Sequence, residues 1–244
     1  MHFPCYIINL NGSEQNFEKQ KPYLIEEGLN PIRFRGIDAR KDEHIAYKDR
    51  VTKKCQLTCP KSVIGCGLSH ILLAQHLKDI GVPLALVLED DAFPKVCNLL
   101  EQIQKTMNEV PEDWDMIKFH CGSFGRQKHA DTGASTAAYM LNSSGIQKLS
   151  NLKLNFHIDN QLKFGPSDLI VYKSKDNLFW ADESFSSNRG TSSKWLNIKV
   201  GDGEQVLSQV ISYKIFRIPG TSIEVSWLHV IIILLFGSLY FFFI

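Results

Sequence analysis

The sequence predicts an α/β fold on a largely parallel sheet, followed by a C-terminal helix apolar enough to cross a membrane. Three observations predict it. Short apolar runs alternate with helix-period stretches through the first half of the chain, as in a sheet covered by crossover helices. One run, residues 84–92 (LALVLEDDA), rises from a turn at residues 81–83 and stops on Glu89, Asp90 and Asp91. That pattern reads as a buried strand ending at a polar rim. Finally, residues 227–244 are apolar or small except for His229 and Tyr240.

Taken in order, residues 6–10 (YIINL) form a first buried strand that runs into a turn at Asn11-Gly12. Residues 16–27 have helical spacing, with Gly28 placed to cap the helix C-terminus. Residues 31–39 alternate as a second strand, and residues 41–60 are polar and irregular. Residues 65–70 (GCGLSH) read as a glycine-bearing turn that feeds a helix over 71–80, and the acidic strand follows. Beyond it, residues 98–110 suit a helix, 115–121 a strand, 134–141 a strand and 144–152 a helix. A short apolar run at 169–172 stands in a less regular remainder.

With 27 basic and 26 acidic residues the net charge is +1, and no basic block with interleaved aromatics marks a nucleic-acid partner. Six cysteines are scattered. Cys55, Cys59 and Cys66 lack a fourth ligand at tight spacing, so free thiols of a reducing compartment are the expectation. Met1-His2-Phe3-Pro4 carries no basic segment of a secretory leader. The apolar tail approaches the ~20 residues a membrane-crossing helix needs. Trp227 and Tyr240 lie near its ends, and Lys214 and Arg217 precede it. The expected organisation is therefore a folded body over 1–217, a connector over 218–226 and an anchor over 227–244. A C-terminal span without an N-terminal signal makes a single-pass tail anchor the expectation, and the positive-inside bias would keep the body cytosolic.

In open α/β sheets ligands gather outside the carboxyl ends of the strands. That rule brings Asn9, Leu10, Asp38 and the acids 89–91 to one rim. Asp113 and Asp115 precede their strand and belong to the opposite one. Three adjacent carboxylates repel one another unless a cation sits among them, and oxygen ligands suit Mg2+ or Mn2+. A solvated acidic turn is the plainer alternative. His70 reads either as a packed histidine or as a ligand contact, and Asp38 as a turn cap or a ligand contact.

The sum resembles glycosyltransferase family 25, which includes lipooligosaccharide and procollagen galactosyltransferases. The YIINL strand, FRGIDA at 34–39, GCGLSH at 65–70 and LEDDA at 88–92 carry the resemblance, in the family's order. Later segments, Ala138-Tyr139-Met140-Leu141 with Ser144-Gly145 and His157-Ile158-Asp159, look like the family's C-terminal half.

The resemblance implies a GT-A fold and a metal-dependent, inverting transferase. It would move a hexose, galactose foremost, from a UDP-sugar to a glycan or glycoconjugate acceptor. It further implies that Asp91 and Glu89 hold Mn2+ or Mg2+. Asn9, Leu10, Asp38, Gly65, Gly67, His70, Glu89 and Asp90 would line the donor site. Asp159 would be the general base, with Asp182 and Glu183 as second candidates.

The family's arginine-rich stretch after the first strand is replaced by Asn11-Gly12-Ser13-Glu14-Gln15-Asn16. Arg33, Arg35 or Arg40 could supply positive charge instead. That departure leaves room for an inactive, membrane-tethered binding module. Separately, acids after a strand also suit a Mg2+-dependent phosphoryl-transfer or receiver-like domain, although such a domain would carry them on an early strand.

Overall fold

The computed structural model describes residues 3–120, 135–164, 167–182, 214–217 and 224–226. Compactness divides the chain into two units, Met1–Asn188 and Arg189–Ile244. In the first, β1 (Cys5–Asn9), α1 (Glu14–Glu26) and β2 (Pro31–Arg35) are followed by short 3-10 turns at Ala39–Lys41 and Glu43–Arg50. Next come α2 (Lys53–Thr58), α3 (Lys61–Asp79), β3 (Leu84–Glu89), β4 (Ala92–Pro94), α4 (Leu99–Glu109) and β5 (Met116–Lys118). The unit continues with β6 (Ala138–Asn142), α5 (Ser143–Ser150), α6 (Ile158–Phe164), β7 (Val171–Lys173) and β8 (Phe179–Ala181).

The central sheet has the order β2-β1-β3-β6-β5-β7. β1 pairs parallel with β2 and β3, and β5 parallel with β7, while β6 runs against both β3 and β5. Five strands thus share one direction, as the alternating pattern predicts. The reversal of β6 is not visible in its composition.

Both faces of the sheet are buried, which explains why the strands read as continuous apolar runs. Tyr6, Ile8, Ala85, Val87, Tyr139 and Leu141 face a core shared with Leu68, Ile71 and Leu149 of α3 and α5. Their neighbours Cys5, Ile7, Leu86, Leu88, Ala138 and Met140 face Phe17, Leu24, Leu99 and Ile103 of α1 and α4. The period of two sends alternate side chains to opposite layers.

Several ends are set locally. Gly28 has φ +79°, its N–H donates to Ile25 O, and Leu29 N–H donates to Leu24 O. This is the left-handed helix cap expected of that glycine. At the opposite rim from the acids, buried Asp115 accepts from Lys148 Nζ at 2.7 Å and Ile170 N–H at 2.6 Å. It thereby ties the start of β5 to α5 and the approach to β7.

Three sequence expectations need correction. GCGLSH is not a turn: all six residues lie inside α3. Its glycines serve contact rather than bending. A Cβ on Gly65 would lie 2.5 Å from Ile37 O, and one on Gly67 would strike the Leu154 side chain. The irregular stretch 41–60 contains a 3-10 turn and α2, the latter capped by Thr52 Oγ1, which accepts from Cys55 N–H at 3.2 Å. The 115–121 strand is only three residues long where described.

In the second unit, β9 (Lys214–Arg217) and β10 (Glu224–Ser226) pair antiparallel, with a register shift between Val225 and Ser226. β10 falls within the stretch expected to be a connector. The apolar tail at 227–244 lies outside the described residues. Among the described residues, no helix is long and apolar enough to cross a membrane.

Gly67→Ala should destabilise the fold by about 1–3 kcal/mol, the usual cost of overpacking. Shortening the obstructing side chain should relieve it. In chemical denaturation, Gly67→Ala/Leu154→Ala should therefore be more stable than the sum of its two single variants. Strict additivity would refute the contact.

Candidate active site at the carboxyl rim of the sheet

β1, β2 and β3 end together at one rim. Because β6 runs the other way, the residues before it meet them there, and Thr136 arrives beside Glu89. The acidic turn between β3 and β4 is held from α1. The Gln20 side-chain amide donates to Glu89 O at 3.0 Å and also to Ala92 O. Asn9 and Asn16 Nδ2 donate to Asp90 Oδ2 at 2.7 and 3.3 Å. Arg33 Nε in turn donates to Asn9 Oδ1 at 2.6 Å, fixing which way that amide points.

The three acids do different things. Asp90 closes the turn against β1 and α1. Burial pushes its carboxyl up to about 6, against the two asparagine amides, which favour the ionised form. Asp91 is buried, and its carbonyl accepts from Asp182 N–H at 2.8 Å where β4 pairs with β8. Asp182 thus reaches the acidic turn from a distant part of the chain. Glu183 lies outside the described residues.

Glu89 is the hub. His70 Nε2 lies 3.3 Å from its Oε1, and Thr136 Oγ1 lies 2.8 Å from the same oxygen. Burial raises the Glu89 carboxyl, but the imidazole and the hydroxyl outweigh that and hold it below the ordinary glutamate value. His70 Nδ1 meets the hydroxyl of buried Tyr139 at 2.8 Å.

Thr136 Oγ1 also lies 2.6 Å from Asp159 Oδ1. A hydroxyl has one hydrogen, so it can donate to only one of these two carboxylates at a time. Both contacts are hydrogen bonds when one carboxyl carries a proton. His157 Nδ1 stands 3.4 Å from Asp159 Oδ2.

Beside this cluster is a pocket lined by Leu10, Asp38, Arg40, Gly65, Cys66, Ser69, His70, Glu89 and Asp90, among others. Most of the expected donor-site residues therefore share one cavity. Gly67 is not among its lining residues. Asn9 stands behind it, bonded to Asp90. Asp38 caps a 3-10 turn and pairs with Arg40 at 2.7 Å, which holds its carboxyl below the usual aspartate range. Of the three arginines that could replace the missing stretch, Arg40 lines the pocket. Arg33 is engaged with Asn9, Leu10 O and Glu14, and Arg35 with Glu43.

Among the described residues, one closely spaced set of potential metal ligands occurs: Cys66, His70 and Glu89, with ligand atoms within 4.8 Å of one another. Neither Asp90 nor Asp91 belongs to it. A thiol, an imidazole and one carboxylate are not the oxygen set that Mg2+ or Mn2+ takes. The fit to a hard cation is therefore poor at this cluster.

The profile of glycosyltransferase family 25, described as an LPS biosynthesis protein, matches residues 2–128, just over half of the chain. The chain belongs to glycosyltransferase family 25. This family 25 protein is accordingly an enzyme of the glycosyltransferase class. The match includes α3 and the acidic turn, whereas Thr136 and Asp159 lie beyond it. No curated protein matches the sequence. One solved structure, a glycosyltransferase involved in glycosylation of the major capsid of PBCV-1, is 11% identical with a TM-score of 0.36. The similarity covers 67% of this chain and 69% of that one. It is too distant for any residue to be carried across.

Sequence reasoning missed Asn16, Gln20, Cys66, Thr136 and Tyr139 as members of this site. Only Cys66 carried a signal, four residues before His70 and so one helical turn away on the same face.

The raised Asp90 carboxyl predicts a pH effect. Its folded value lies above the ordinary 3.8. The folded state therefore binds the extra proton, and stability from this group falls as pH rises from about 4 to about 6. Asp90→Asn keeps an acceptor for both asparagines and does not ionise. Its stability relative to wild type should rise by about 2 kcal/mol across that window and then level off. Urea denaturation from pH 4 to 7 measures this, and a constant difference would contradict it.

Proposed function

We propose that this family 25 glycosyltransferase moves a hexose, galactose foremost, from a UDP-sugar to a hydroxyl of a glycan or glycoconjugate, with inversion at the anomeric carbon. The mainly parallel sheet, with its strand ends gathered at one pocket, supports a GT-A arrangement and a nucleotide seat in that pocket. The observation that carries the proposal is the Thr136 hydroxyl set between Glu89 at the pocket and Asp159. It joins the seat of the donor to a carboxylate able to serve the acceptor.

In this reading, the acceptor oxygen attacks the anomeric carbon from the side opposite UDP. The new carbon–oxygen bond forms as the bond to the β-phosphate oxygen breaks, and UDP departs with that electron pair. Asp159 takes the acceptor's proton as general base. Once protonated, it can donate to Thr136 Oγ1 while Thr136 donates to Glu89. Every oxygen in the chain is then satisfied, so proton uptake completes the hydrogen bonding instead of disrupting it. Arg40, lining the pocket, supplies positive charge near the diphosphate.

A second reading is a relative that binds nucleotide without turnover. One observation favours it: Arg40 is already paired with Asp38, so little uncompensated positive charge faces the pocket.

Transfer is assayed as UDP release from a panel of UDP-sugars, with saccharide acceptors and with Mn2+, Mg2+, Co2+ or Zn2+. Release should be fastest with UDP-galactose. Asp159→Asn should lower kcat by about 100-fold or more, in the range a general base contributes. Thr136→Val should lower kcat while sparing KM for the donor. A wild-type rate in Asp159→Asn would reject Asp159 as the base. UDP binding with no release for any donor would favour the second reading.

A further inference from the structure

We propose that Cys66, His70 and Glu89 form a binding site for a borderline divalent cation of the Zn2+ class, set in the wall of the pocket. Cys66 and His70 stand one turn apart on α3 and so share a face. The end of β3 brings Glu89 to that face, and the three ligand atoms lie within 4.8 Å of one another.

The separation of His70 Nε2 from Glu89 Oε1 is 3.3 Å. Two ligands on a tetrahedral ion, with bonds of about 2.1 Å, stand about 3.4 Å apart. These two atoms already have the spacing of a tetrahedral edge.

The surroundings support each ligand. Tyr139 meets the Nδ1 atom of His70, which leaves Nε2 facing Glu89. Thr136 steadies the carboxylate at 2.8 Å. Outer partners of this kind orient metal-bound histidines and carboxylates and raise affinity. A thiolate with an imidazole selects Zn2+-class ions over Mg2+.

Three protein ligands leave a tetrahedral ion one position for an outside group. All three residues line the pocket, so that position is open to its occupant. Taking a diphosphate oxygen as that occupant rests on the proposed donor reading; the three-residue site does not. Binding exchanges the thiol proton for the cation, releasing one proton to solvent.

Co2+ titration of the full chain under reducing conditions tests the site. One equivalent should produce the sulfur-to-cobalt charge-transfer band in the near ultraviolet, and Zn2+ should bleach it by displacement. Cys66→Ser, nearly isosteric, should abolish the band with an unchanged circular dichroism spectrum. Glu89→Gln should keep the band but weaken Co2+ binding at least tenfold. Absence of the band in wild type, or its survival in Cys66→Ser or in a folded His70→Gln, would overturn the site. Added UDP should perturb the band. A band that forms yet ignores UDP removes the diphosphate from the fourth position and leaves the cation site standing.

Discussion

The rim of this sheet is organised around one partly buried carboxylate, Glu89. A carboxylate withdrawn from water needs partners that favour its charge. Here they come from separate parts of the chain. His70 reaches it from α3 and Thr136 from the lead-in to the reversed strand β6, and the same Thr136 hydroxyl also meets a second carboxylate, Asp159. Glu89, Thr136 and Asp159 are thus joined in a single hydrogen-bonded chain. Removing the hydroxyl would leave two acidic groups facing each other with nothing between them.

That chain depends on how closely α3 approaches the sheet. Gly65 lets the helix lie against the backbone of Ile37 and Ala39, and Gly67 lets it lie against Leu154. Ser69 fastens the same approach: its hydroxyl donates to Gly65 O at 2.7 Å and accepts from Ile37 N–H at 2.8 Å. Cys66 and His70 are then presented to the strand ends. On the other face, α1 holds the acidic turn through Asn16 and Gln20. The site is clamped between two helices that approach from opposite layers.

Much of the scaffold was legible in the sequence because burial on both faces leaves a plain mark. Residues 84–89 could hardly be anything but an interior strand, and the acids after them could only lie at its exit. The reversed direction of β6 left no such mark, since an interior strand has the same composition either way. Thr136 was therefore invisible as a site residue. The GCGLSH glycines were misread for a related reason. Glycine usually signals a bend, whereas these two serve close helix packing, which depends on residues far away in the chain. The trio Glu89, Asp90 and Asp91 looked like one charge cluster, but structure divides it into a hub, a turn closure and a neighbour of Asp182.

The proposed nucleotide seat is the pocket between α3 and the ends of β1 and β3. Hydrogen–deuterium exchange of the full chain with and without UDP tests it most directly. UDP bound there should slow exchange at residues 36–41, 62–70 and 89–91, and leave exchange unchanged around the separate groove formed by Gly28, Leu29, Asn30, Ile32 and Leu100. Protection confined to that groove, with none on α3 or the acidic turn, would contradict it.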